Sequence, residues 1–225
     1  MHRIELPDWA EARGRPLNHF SSLEKGRTAL VNIDMQNAFL REDQIYGNVH
    51  ARDIVEAVNA LSAAMRAAGA PVIWTRQTHT FEPPFAPPEW HYDISKADVA
   101  AGVAALAADA PGHELYPAMQ VAPDDIVIDK YRYGAFSCPA GRLAAVLRAR
   151  SIGMLIVTGT LTNVCCESTA REAYMAGYKV IAVADAMAAA TDEEHNAALL
   201  NLRLNFAGIR RTENVLAMTR ELRPS

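Results

Sequence analysis

"MLIVTGTLTNVCCESTAREAYMAGYKVIAVADA", residues 154–186, contains the alternation on which the fold reading depends. The apolar run "MLIVTG" (154–159) reads as a buried strand, "NVCCESTAREAYMAG" as a helix closed by Gly177, and "YKVIAVADA" as the next strand. A strand, a helix and a strand in succession imply a crossover connection and parallel pairing.

The alternation extends in both directions. "TALVNI" (28–33) reads as a strand, followed by a helix in which Ile54, Val58, Leu61 and Met65 recur at steps of three and four before Gly69. "PVIWT" (71–75) and "DIVIDK" (125–130) are further strands, and the alanine-rich segment 97–108 is a helix. "CPAGRLAAVLRARSIG" opens a helix on Pro139 and carries Leu143, Val146, Leu147 and Ile152 on or near one face. Thr191 and Glu194 form a capping-box pattern for a helix through Phe206, and a sixth short strand and a terminal helix complete the chain. The expectation is one α/β domain over residues 1–225, three-layered and doubly wound. Its sheet is mostly parallel and six-stranded with helices on both faces, and residues 1–25 form an irregular N-terminal arm. "RQTHTFEPPFAPPEWHYDISK" (76–96), with two Pro-Pro pairs, is a long loop of the kind that serves as a lid or binding segment.

Composition bounds the function. The 225 residues are 50% hydrophobic and 21% charged, the balance of a globular protein, and a net charge of -4 provides no basic footprint for nucleic acid. No stretch approaches the roughly 18 uninterrupted apolar residues of a membrane helix, and the first residues lack the apolar region of a secretory signal. Three cysteines, an odd and sparse set, suit a reducing compartment, so the expected location is cytoplasmic.

In doubly wound folds, ligands sit beyond the carboxyl ends of the strands. Three residues fall there: Asp34 after the first strand, Lys130 ending the third, and the Cys165–Cys166 pair after the fourth. With Asn163 as N-cap, both cysteines lie in the first helical turn, about 100° apart. From Cys166, steps of four, seven and eight reach Ala170, Ala173 and Tyr174; from Cys165, steps of three, four and seven reach Ser168, Thr169 and Glu172. Cys166 therefore belongs to the core and Cys165 to an open polar face, where the helix terminus favours thiolate. A pair of small buried hydrophobes fits this local pattern equally well. Cys138 reads as structural. A thiol, a carboxylate to take its proton and a cation on one sheet edge together favour a site. No closely spaced metal-ligand pair and no phosphate loop is present, so neither metal nor cofactor is expected.

In "DMQNAF", "DKYRYGAF", "VTGTLTNVCCESTAREAYMAGY" and "VADA", in that order from about Thr28 to Met218, the chain resembles the isochorismatase-like cysteine hydrolases. That family includes nicotinamidases, N-carbamoylsarcosine amidohydrolases and ureidoacrylate amidohydrolases. The resemblance implies a catalytic triad of Asp34, Lys130 and Cys165, a cis peptide between Thr160 and Leu161, and an oxyanion hole from the N–H groups of Leu161 and Cys165. It implies hydrolysis of an amide or ureido C–N bond of a small molecule through a thioester, by a homodimer or homotetramer. Ala38 stands where the family usually has an acid, and Cys166 where valine is commoner. The metal-binding set of nicotinamidases has no evident counterpart. Trp90, His91, Tyr133 and Phe136 are the candidates to line the substrate pocket. Vinyl ether hydrolysis and noncatalytic ligand binding are the alternatives on this fold.

Overall fold

The computed structural model describes residues 1–222. Strands β1 (Thr28–Ile33), β2 (Val72–Gln77), β3 (Ile126–Lys130), β4 (Met154–Thr160), β5 (Lys179–Ala188) and β6 (Gly208–Arg210) form one sheet in the order β3-β2-β1-β4-β5-β6. Every neighbouring pair is parallel. Helices α1 (Asp8–Asn18), α2 (Asn37–Leu40), α3 (Val49–Asp53), α4 (Val55–Ala67), α5 (Ala97–Ala105), α6 (Arg142–Ala149), α7 (Glu167–Met175), α8 (Asp192–Asn201) and α9 (Thr212–Arg220) connect and flank the strands. Among the described residues, no helix is long and apolar enough to cross a membrane.

The strand alternation sorts side chains onto two faces. Leu30, Trp74, Ile156 and Ile181 pack with Val58, Leu61 and Met65 of α4 and Val215 of α9. Val31, Ile73, Leu155 and Ala182 pack with Leu143 and Leu147 of α6 and Ala170 and Ala173 of α7. With both faces covered, all six residues of β1 are buried, as the continuous apolar run requires of a central parallel strand. The polar residues buried in it are hydrogen-bonded: Asn32 donates to Ser62 Oγ (3.0 Å) and accepts from Thr158 Oγ1 (2.6 Å).

The order reverses between β1 and β4, and there the backbones approach closely. Gly159, in register with Ile33, has φ 108°, and a Cβ on it would lie 2.1 Å from the Ile33 carbonyl oxygen. Only glycine meets both demands.

Four local expectations need correction. The N-terminal arm is not irregular throughout, because α1 packs Gly14 against the backbone of Arg203 and buries Ala10, Gly14 and Asn18 at four-residue steps. Strand β2 continues two residues past Thr75, since Arg76 and Gln77 pair in register with Asp129 and Lys130. The helix expected from Pro139 begins at Arg142, after Gly141 in a left-handed conformation (φ 59°). The capping box at Thr191 and Glu194 is formed, but the helix it opens widens into a π-turn over Leu202–Phe206.

Candidate active site

Asp34 follows the last residue of β1 in a left-handed backbone conformation (φ 49°), with its N–H donated to the Thr75 carbonyl (3.2 Å). Thr75 Oγ1 donates to its Oδ1 (2.7 Å), and its Oδ2 lies 2.8 Å from Lys130 Nζ. Both side chains are completely buried. The contact pairs opposite charges, and a carboxylate oxygen with two lone pairs can still take a proton beside it.

Lys130 reaches Asp34 across the end of β2. Its Nζ also donates to Gln77 Oε1 (2.6 Å) and the Arg132 carbonyl (3.1 Å). Burial is the largest influence on its pKa and lowers it, but Asp34 and Cys165 together more than offset this and hold the ammonium above its ordinary pKa. Gln77 is fixed in turn: its N–H donates to Gln36 Oε1 (2.7 Å), and the Gln36 amide donates to the carbonyls of Gln77 (3.1 Å) and His113 (2.9 Å). Gln36 and Gln77 were not singled out in the sequence. Gln77 carries the same signal as Asp34 and Lys130, a polar residue closing an apolar strand, once β2 is extended to its true end.

Cys165 lies in a π-turn over Thr162–Cys166, entered through Leu161 rather than capped by Asn163. The Cys166 N–H donates to the Leu161 carbonyl (3.1 Å), an i to i+5 bond that widens the turn. The Thr160–Leu161 peptide is cis. Cys166 is inaccessible, with Sγ 3.8 Å from the Thr158 carbonyl, and Ala170 and Ala173 continue its buried stripe; Tyr174 does not, being half exposed.

The face of Cys165 is not open as expected. Its polar neighbours bind the 131–138 loop: Thr169 Oγ1 accepts the Ala135 N–H (3.2 Å), and Glu172 Oε2 accepts those of Phe136 (2.9 Å) and Ser137 (3.2 Å). Cys165 is only 5% exposed. Burial, offset in part by Lys130, pushes its thiol up to about 12, so the helix terminus does not yield a resting thiolate. Asp34 and Lys130 both act on this thiol, the carboxylate favouring the proton and the ammonium opposing it.

A cavity of about 260 Å³ lies against Cys165 and Leu161, walled by Phe39, Tyr92, Leu106 and Val164 and including Gln77 and His79. His91 and Tyr133 line it too, and their side chains are hydrogen-bonded (2.9 Å). Trp90 instead lines a smaller adjoining cavity and is 83% exposed. Phe136 lines neither; its ring packs on Tyr178 (5.5 Å) because Glu172 holds its backbone against α7. His79, buried in both cavity walls, stands edge-on to Tyr92 (5.0 Å), and burial followed by the Lys130 charge lowers its pKa to about 4.

The Isochorismatase domain model matches residues 28–214, which include all of these strand-end residues. The chain belongs to the isochorismatase family. This family member is 32% identical over 229 residues to the ureidoacrylate amidohydrolase RutB of Pseudomonas savastanoi pv. phaseolicola, an alignment spanning 92% of this chain and 89% of that protein. It is 32% identical over 179 residues to nicotinamidase 3 of Arabidopsis thaliana, spanning 80% and 82%. Among solved structures, a cysteine hydrolase from Pseudomonas syringae pv. phaseolicola 1448A superposes with a TM-score of 0.81 at 29% identity, over 92% of this chain and 98% of that one.

In this isochorismatase-family chain, His2, His50 and Asp192 place three potential metal-donor atoms within 4.8 Å of one another, among the described residues. Their hydrogen bonds do not suit a metal. His2 Nε2 accepts the Ala189 N–H (3.0 Å), so the neutral ring carries its proton on Nδ1, the atom 2.7 Å from Asp192. No lone pair is left on Nδ1 to ligate.

Proposed function

We propose that this isochorismatase-family hydrolase cleaves a non-peptide C–N bond, amide or ureido, of a small molecule, with Cys165 as nucleophile. What supports the reading is one arrangement: a buried carboxylate–ammonium pair acting on a buried thiol at the wall of a cavity. Relatives named as ureidoacrylate amidohydrolase and nicotinamidase support the bond type.

The thiol is protonated at rest, so the thiolate forms only as it attacks. Asp34 accepts the Cys165 proton, while the Lys130 ammonium beside it stabilises the charge that develops. The sulfur adds to the carbonyl carbon, and the carbonyl oxygen becomes an anion facing the N–H groups of Leu161 and Cys165. Asp34 returns the proton to the departing nitrogen, the C–N bond breaks, and an acyl thioester remains. Water, deprotonated by Asp34, releases the acid and restores the thiol.

Ammonia release across a panel of primary amides and ureido compounds, repeated with Cys165→Ser, tests the proposal. Release from at least one compound that falls about a hundredfold or more in the variant supports it. Undiminished ammonia release by the variant would refute Cys165 as the nucleophile, and no release from any compound would direct attention to vinyl ether hydrolysis.

A further inference from the structure

The cavity beside Cys165 is unusual in its charge. Among the described residues that line it, none is lysine or arginine. The cation behind it, Lys130, is already matched by Asp34 at 2.8 Å and donates to Gln77 and Arg132 as well. Arg132 borders the adjoining cavity, but its guanidinium donates to the carbonyls of Tyr131 (2.6 Å), Phe85 (2.9 Å) and Pro84 (3.2 Å). His79 has a buried Nδ1 without a partner and is held neutral. The lining thus offers a ligand no lysine or arginine, and its walls are mostly aromatic or aliphatic.

A carboxylate entering such a space leaves water without gaining a cation from the cavity lining. A flat uncharged group meets aromatic faces at no comparable cost.

We propose that this pocket selects substrates whose non-reacting half is uncharged and flat, and discriminates against those that carry a carboxylate there. The inference rests on the hydrolytic reading in taking Cys165 as the reacting end of the cavity. The same charge balance aids turnover of a neutral carboxamide, since its product is an acid that the pocket holds poorly.

Binding to the Cys165→Ser variant tests the selection apart from turnover. The probes are isophthalamide, a benzene ring with two carboxamides, and isophthalamate, in which one carboxamide is replaced by a carboxylate. Calorimetric or NMR titration near neutral pH should find isophthalamide bound about tenfold or more tightly. Val99→Arg in the same background adds a cation to the cavity rim, where Val99 is half-buried, and should narrow or reverse the gap. Equal or tighter binding of isophthalamate without that substitution would overturn the proposal, as would failure of both probes to bind. Selective binding by a protein with no hydrolytic activity would instead sink the hydrolytic reading and leave the selection standing.

Discussion

The Lys130 ammonium lies 2.8 Å from the Asp34 carboxylate, and neither group touches solvent. Two charges so buried depend on each other. Lys130→Met should leave Asp34 an unpaired buried anion, costing about 3–5 kcal/mol of stability and abolishing activity. Adding Asp34→Asn should restore much of the stability and none of the activity. Denaturant unfolding and ammonia release on the two single variants and the double variant check this. Additive stability losses would show that the pair is not coupled.

The Cys165 thiol, raised from 9.0 to about 12, should stay protonated throughout the neutral range. The ultraviolet thiolate band in the difference spectrum between wild type and Cys165→Ser should be absent at neutral pH and still absent at pH 9.0. The sign for stability follows: between 9.0 and about 12 the unfolded thiol has lost its proton while the folded one retains it, so this group's contribution falls as pH rises. A thiolate band near neutrality would contradict the burial account.

Glu172 anchors the 131–138 loop beside the cavity, where Tyr133 is part of the wall, and Gly134 leaves no room to spare. A Cβ on Gly134 would lie 2.0 Å from Glu172 Oε1. Gly134→Ala should displace the carboxylate and free the N–H groups of Phe136 and Ser137, with a loss of about 1–3 kcal/mol and a raised KM. Glu172→Gln, which keeps an acceptor oxygen, should be milder in both. Thermal unfolding and steady-state kinetics separate the two variants, and equal, negligible effects would remove the loop's assigned role.

The layered parallel fold was legible because its strands are near-continuous apolar runs, and Asp34 and Lys130 stood out as charges ending such runs. The strand order was not legible, since it depends on pairings between segments far apart in the chain, such as Ile33 with Gly159. Gln77 was missed because "RQT" runs into the proline-rich loop without an apolar residue, and only its pairing with Lys130 reveals the strand. Helix α1 escaped because Gly14 and Pro16 weaken its pattern and its buried face, Ala10, Gly14 and Asn18, is barely hydrophobic. Cys166 was placed in the core correctly, but Cys165 belongs to the same buried cluster rather than to an open face. The burial of Cys165 was hidden, because its buried cluster gathers residues far apart in the chain, such as Val31, Ala135 and Leu202.

The central claim is that Cys165 carries the acyl group. Mass spectrometry of acid-quenched enzyme, taken during turnover of an amide or ureido substrate and followed by peptide mapping, tests it most directly. The acyl mass should appear on Cys165, persist in Cys166→Ser and vanish in Cys165→Ser. An adduct confined to Cys138 or Cys166, with none on Cys165, would contradict the account.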